Sequence, residues 1–252
     1  MSPGRSIKSF ASLPSTHAYA MERGEALDDG TVIVAGHQSC GRGRFGREWL
    51  SPPGESLLFS VVLRPRIQPA QAALATPLMA AAIAGFLGEL RIDAGIRWPN
   101  DVTVGDAKIA GILAEASIAG GELRFVAVSA GLNVNQGGPE LSKVGRPATS
   151  VFVETGRKHE PADLLEPIMG RFDRLYETFV KEGFAAVADA WRGHMSLVGE
   201  TIALDLGGRI VQGRVLAFGD DGSIELEESS GEVSRHLAGE VVKLFTKEEE
   251  GI

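Results

Sequence analysis

Apolar and polar positions along the chain switch between two periods, and the switches mark out the elements. Residues 31–36 and 57–63 are short, almost continuous apolar runs. Asp28-Asp29-Gly30 precedes the first and Ser51-Pro52-Pro53-Gly54 the second, which predicts two buried strands. Ser15 and Thr16 stand before a helix-like run at 17–23, and either hydroxyl can cap it. Pro69 opens an alanine-rich segment to about residue 91 that is apolar around much of its circumference, as in a helix buried against a sheet. Residues 96–98 begin a strand that breaks at Pro99-Asn100-Asp101. Two hairpins follow: 102–104 with 109–116 across Gly105-Asp106-Ala107, then a return at 123–130 across Gly120-Gly121. Residues 131–135 leave that strand, and a loop rich in Gly and Pro runs to Pro147. Residues 161–182 have helical spacing, with Leu164, Leu165, Ile168, Met169, Phe172, Leu175, Tyr176 and Phe179 on one face. A shorter helix spans roughly 184–194.

The pattern changes near Leu197. Short β runs at 201–206, 210–218, 223–227, 233–237 and 241–245, separated by Gly and Asp, suggest a small barrel of the SH3-like kind. The expected division is therefore a main domain at 1–195 and a barrel at 196–252. Residues 1–14 read as mixed and frayed at the start, and 247–252 as a charged tail.

Composition narrows the classes. The 252 residues are 44% hydrophobic and can bury a sizeable core. A net charge of −8 argues against a general nucleic-acid binder, whose footprint is basic. Cys40 is the one cysteine, which rules out an intramolecular disulfide and a cysteine-rich zinc site and fits a reducing compartment. There is no basic-then-apolar leader. The apolar stretch at 70–90 is interrupted by Gln71, Thr76, Pro77 and Glu89, so no membrane span is expected. The expectation is a soluble cytoplasmic protein.

Two stretches carry candidate chemistry. His37-Gln38-Ser39-Cys40-Gly41-Arg42-Gly43-Arg44-Phe45-Gly46-Arg47-Glu48-Trp49 alternates arginine with glycine directly after an apolar strand. Glycine lets backbone N–H groups turn toward an anion, and arginine adds planar donors for carboxylate or phosphate. A flexible surface loop explains this stretch alone equally well. The second stretch is Arg97-Trp98-Pro99-Asn100-Asp101 with Lys108-Ile109-Ala110-Gly111-Ile112-Leu113-Ala114-Glu115. Strict alternation puts Lys108, Ala110, Ile112 and Ala114 on one strand face and Ile109, Gly111, Leu113 and Glu115 on the other. Taken singly, Lys108 is a solvated hairpin end, Asp101 a turn former and Glu115 a rim charge. Taken together, the stretches place a lysine, several arginines and two carboxylates around one sheet, which is equipment for activating a carboxylate with a nucleoside triphosphate. No Walker-type Gly-x-x-x-x-Gly-Lys-Ser/Thr is present.

The two stretches together resemble the motifs of the biotin protein ligases. Residues 38–49 resemble that family's biotin-binding loop, and Trp98-Pro99-Asn100-Asp101 with Lys108 to Leu113 resembles its Trp-Pro-Asn-Asp and Lys-x-x-Gly-Ile-Leu motifs. Pro14-Ser15-Thr16 resembles its early Ser-Thr-Asn element, Ala130-Gly131-Leu132-Asn133-Val134-Asn135 its Gly-Ile/Leu-Asn turn, and Gly239-Glu240-Val241 a motif near its end.

The resemblance implies an α+β class II synthetase-like fold, a central mixed or antiparallel sheet with helices packed on it, plus the SH3-like barrel. It implies an ATP- and Mg²⁺-dependent ligase that activates biotin as biotinyl-5′-AMP. The biotinyl group then passes to a lysine of the biotin carboxyl carrier protein of acetyl-CoA carboxylase. By position, Ser15, Thr16, His17, Gln38, Gly41, Gly111 and Leu113 belong to the biotin pocket. Arg42, Gly43, Arg44 and Lys108 close over the biotin carboxylate and the phosphate, with Lys108, Arg42 and Arg44 as the catalytic set. Arg47, Trp49, Asn100, Asp101 and Asn133 fall on the nucleotide side, with Asp101 toward the metal. His17 departs from the family's asparagine, and Cys40 stands where a small residue is common. With no helix-turn-helix ahead of Ser15, no operator binding is expected, and sheet-edge homodimers are common in the family. A lipoate ligase and a catalytically silent biotin-binding protein are the alternatives. The first as a rule lacks the Gly-Arg-Gly-Arg loop, and the second has no need of Lys108, Arg42 and Asp101 together.

Overall fold

Hydrophobic alternation along six antiparallel neighbours, with one parallel strand added at the edge, builds the main sheet. The computed structural model describes residues 5–245, so residues 1–4 and 246–252, the expected charged tail among them, lie outside it. In chain order the elements are β1 (Ile7–Phe10), α1 (Thr16–Arg23), β2 (Val32–Ala35), β3 (Gly41–Arg42), β4 (Glu48–Trp49), β5 (Ser56–Leu63), α2 (Ala75–Glu89), β6 (Gly95–Arg97), β7 (Asp101–Val104), β8 (Ala107–Ala119) and β9 (Glu122–Asn133). After them come α3 (Gly138–Leu141), α4 (Val151–Thr155), α5 (Leu165–Glu182), α6 (Ala188–Arg192), β10 (Thr201–Asp205), β11 (Ile210–Phe218), β12 (Ile224–Glu228), β13 (Val233–His236) and β14 (Glu240–Leu244). The main sheet has the order β1-β2-β5-β9-β8-β7-β6, and the last five strands form an antiparallel sheet in the order β13-β12-β11-β10-β14.

One face of the main sheet packs on α2 and α5. Leu57, Phe59 and Val61 of β5, Ala110 and Ile112 of β8, and Val126 and Val128 of β9 meet Met79, Ile83, Met169 and Phe172 in one buried cluster. The opposite face holds a smaller cluster: Ile33, Val62, Phe125 and Ala127 under Ala20 of α1. By length and composition alone the segment from Pro69 to Glu89 is apolar enough to cross a membrane, its interruptions notwithstanding. Its burial between sheet and α5 makes it a core helix. The C-terminal sheet is anchored by Trp98, whose Nε1–H donates to Gly222 O at 3.0 Å, and by Trp191, whose ring sits 5.5 Å from that of Phe218.

Four local expectations are corrected. The start is not frayed throughout: β1 pairs in parallel with β2, and a four-residue, mostly exposed edge strand is too short for its pattern to register. β9 does not end at Ala130 but runs through Gly131 to Asn133, because Ser56–Leu58 of β5 still pair there. The segment before Pro147 contains the short helix α3 and a further 3₁₀ turn, and α4 follows it, capped by Ser150. The first turns after Pro69 are 3₁₀ rather than α.

Candidate active site

The largest error of the alternation argument falls at the site itself. Between β7 and β8 the register shifts: Val102 pairs with Ala110 but Thr103 pairs with Lys108, which leaves Ile109 as an extra residue. Such a bulge reverses the facing of everything before it. Ala110 and Ile112 point into the α2/α5 core as expected. Lys108 does not share their face; its Nζ lies over Gly111, 2.8 Å from where a β-carbon would be. Lys108 is thereby moved out of the core and onto the functional face.

Glycines give that face its floor. Asp101, Gly111 and Gly131 are direct partners across β7, β8 and β9. A β-carbon on Gly131 would stand 2.5 Å from the Trp49 indole, so the indole lies directly on bare backbone. The Lys108 ammonium is 5.5 Å from the Trp49 ring centroid and ion-paired with Asp101. Burial pushes the Lys108 ammonium below the ordinary lysine range, opposed by Asp101 and reinforced by Arg146 and Arg47.

The Arg-Gly loop joins the neighbouring strands β2 and β5, and it is a structured ribbon. Gly41 and Arg42 pair with Trp49 and Glu48, and the chain reverses through Phe45 and Gly46, both at positive φ. Gly41 does not line the cavity. A β-carbon there would meet Trp49 O at 2.5 Å, so its role is to let the two strands approach. Arg44 donates to Asn100 Oδ1 and to Gly239 O, both at 3.2 Å, and Arg47 pairs with Glu240. The loop is thus tied to the C-terminal sheet. Burial lowers the Arg44 pKa, with Glu240 and Asp101 opposing.

A cavity of about 460 Å³ opens beneath the loop. Ser15, Thr16, His17, Gln38, Arg42, Gly43, Arg44, Arg47, Trp49, Asn100, Asp101, Lys108, Gly111 and Leu113 all line it. Asn133 does not: it lines a smaller crevice beside Trp49, donates to Thr149 O at 3.0 Å and accepts from Gln136. Ser129 and Arg146, to which the sequence points in no way, also line the cavity, as does Arg97 of the second stretch, which no motif gave a role. Six cationic and four anionic side chains surround it, a positive enclosure in a chain of net charge −8.

The far end is built of hydroxyls, an amide and an imidazole joined in one hydrogen-bonded chain. Gln38 Oε1 accepts from the Thr16 backbone N–H at 2.6 Å and from the Thr16 hydroxyl at 2.9 Å. Ser60 then donates to Thr16 at 2.9 Å, and Ser129 lies 2.7 Å from Ser60. Each hydroxyl has one proton, so fixing the first fixes the rest. Ser129 must donate to Ser60, and His17 must donate from Nδ1 to Ser129 at 2.8 Å. His17 Nε2 faces Glu115 at 3.0 Å. Ser15 spends its oxygen on the Ala18 N–H, capping α1. The Gln38 amide N–H₂ makes no hydrogen bond among the described residues, and Thr16 Oγ keeps a free lone pair. That end therefore offers a donor and an acceptor to a small polar ring.

Comparisons with known proteins agree with this geometry. Residues 9–135 match the model of the biotin/lipoate A/B protein ligase family. The biotin--[acetyl-CoA-carboxylase] ligase of Paracoccus denitrificans is 34% identical over 88% of this chain and 94% of its own length. The bifunctional ligase/repressor BirA of Bacillus spizizenii is 30% identical over 81% of this chain, which spans 63% of that protein. A biotin protein ligase from Aquifex aeolicus, solved in complex with biotin and ATP, superposes with a TM-score of 0.79 at 28% identity, covering 93% of this chain and 97% of that one.

Proposed function

The chain belongs to the biotin/lipoate A/B protein ligase family, and from that premise we propose that it is an ATP-dependent biotin–protein ligase. It joins biotin to AMP and then transfers the biotinyl group to a lysine of the biotin carboxyl carrier protein of acetyl-CoA carboxylase, in the cytoplasm.

One observation carries the reading: a single cavity has a wired polar end and a cationic end. A ureido ring presents both N–H donors and a carbonyl acceptor, matching Thr16 and the Gln38 amide. The dithiolane of lipoate has neither and would leave those groups unpaired, a discrimination of about 10⁴-fold where such sites are well built. With the ring held there, the valeryl carboxylate extends toward Lys108, Arg42 and Arg44. Their donors neutralise charge as the carboxylate oxygen bonds to the α-phosphorus and pyrophosphate departs. Trp49 and Asn100 border the nucleotide side, and the loop shields the adenylate from water.

Mg²⁺ fits as a companion of ATP and not as a resident. Among the described residues no cluster of three His, Cys, Asp or Glu side chains could hold a metal ion. Mg²⁺ typically combines phosphate oxygens with one or two carboxylates, and Asp101 is the carboxylate at hand. Bound there, it would withdraw charge from the phosphates, and Asp101 would exchange its ion pair with Lys108 for the metal.

The test is to incubate the chain with ATP, Mg²⁺, an apo carrier domain and either biotin or lipoate, then weigh the carrier. A biotinyl mass increment is expected. A lipoyl increment, or biotin binding without any increment, overturns the reading.

A further inference from the structure

Arg146 enters the cavity from a segment that no sequence motif marks. Its place is fixed by backbone hydrogen bonds to the catalytic strand. The Lys108 N–H donates to Pro147 O at 3.0 Å, and the Thr149 N–H donates to Lys108 O at 2.9 Å, so Ala148 lies in parallel register with Lys108. Arg146 therefore branches one residue before the Pro147 carbonyl that the Lys108 N–H meets, and it lines both the main cavity and the crevice by Trp49. It is also close enough to weaken the hold of Lys108 on its proton.

The state of the other cations singles it out. Lys108 is paired with Asp101, Arg47 with Glu240 and Arg97 with Asp106, while Arg44 is bonded to Asn100 and Gly239. Of the six, Arg42 and Arg146 alone make no side-chain ion pair or hydrogen bond among the described residues, and Arg42 belongs to the loop. Arg146 is the free cation on the sheet side, and it need break no pair to meet an anion.

We propose that Arg146 receives the pyrophosphate leaving group of the adenylation step; this rests on the ligase reading above. As the biotin carboxylate oxygen bonds to the α-phosphorus, the bond from that phosphorus to the bridging oxygen breaks. The electron pair stays on that oxygen, and pyrophosphate departs with the charge that Arg146 then faces. A planar guanidinium meets two phosphate oxygens with a parallel pair of N–H donors, where a lysine acts as a point charge. The second half-reaction, attack of the carrier lysine on the adenylate, involves no pyrophosphate and makes no use of Arg146.

The test uses the full chain with Arg146→Ala and Arg146→Lys, each checked by thermal melting. Biotin-dependent exchange of labelled pyrophosphate into ATP reads the first half-reaction. Transfer from preformed biotinyl-5′-AMP to an apo carrier domain reads the second. Arg146→Ala is expected to raise the KM for pyrophosphate by about 10- to 100-fold, the scale of a charge-assisted hydrogen bond, with Arg146→Lys intermediate. Transfer from the preformed adenylate should stay within about twofold. Unchanged exchange kinetics overturn the proposal, and so does an equal fall in both half-reactions, which would mark a structural role. Absence of exchange in the unsubstituted chain would instead overturn the adenylation reading.

Discussion

The two faces of the main sheet are cut from the same strands yet obey different rules. On the face toward α2 and α5, β5, β8 and β9 contribute only apolar side chains, and shape decides which residue fits. On the other, the same strands contribute Ser60, Gly111, Ser129 and Gly131, and direction decides: which atom donates, and how closely an indole can approach. Core residues are interchangeable with others of similar volume. The site-face residues are not, because each hydroxyl proton and each absent β-carbon is committed to one neighbour.

Substitutions should separate the faces. The largest effect is expected for Phe172→Ala, a fully buried ring of α5. It should cost about 3–5 kcal/mol of stability in denaturant unfolding while leaving kcat of the folded fraction unchanged. Loss of kcat at a temperature where the variant is folded would show the faces to be coupled. Lys108→Ala should do the reverse. Adenylate formation should fall by about 10²–10³-fold with little change in the melting temperature. Its pH profile carries a sign: the charged ammonium is required, and burial has lowered its pKa. The kcat/KM of the first step should therefore hold on the acid side and fall on a limb below the ordinary lysine range. A limb that rises with pH would mean that neutral Lys108 is the active form.

Gly131→Ala tests the boundary between the faces. Its new methyl group would collide with Trp49, so about 1–3 kcal/mol should be lost, read together in melting and in KM for ATP. Unaltered KM would show that the indole position does not matter to the nucleotide. The smallest effect belongs to Ser129→Ala, which removes the link between Ser60 and His17 and should weaken biotin binding by about 1 kcal/mol by calorimetry. In the unsubstituted chain, ¹⁵N spectra of labelled histidine should show His17 protonated at Nδ1. A bare Nδ1 would mean that the chain of hydroxyls runs the other way.

The sequence makes the two faces unequally legible. Helical spacing names the α5 residues that fill the core, because burial of a stripe is a property of composition and period. The cavity was reachable through motifs: fourteen of the sixteen residues named for it line it, and Gly41 and Asn133 support it from outside. Ser60 and Ser129 were invisible, since a lone hydroxyl in an apolar strand carries no periodic signal. Arg146 was invisible for another reason. Its place depends on a backbone bridge between distant segments, and nothing near it in the chain announces that contact. Alternation along β8 alone puts Lys108 on the wrong face because a bulge is a property of two strands.

That extra residue has a consequence for how the segment can change length. Facing in a strand is a matter of parity. Deleting Ile109 alone would remove the bulge and make Lys108 the immediate neighbour of Ala110, so its ammonium would keep the Gly111 face while the core lost one buried side chain. One residue inserted between Val102 and Thr103 would instead give Ile109 a partner and return Lys108 to the face of Ala110 and Ile112, driving an ammonium among the core side chains and withdrawing it from Asp101. The facing of Lys108 is therefore set by the spacing of Val102 and Thr103 in β7 more than by the length of β8 between Lys108 and Ala110, although the turn at Gly105 that joins the two strands is open to solvent and crowded by nothing.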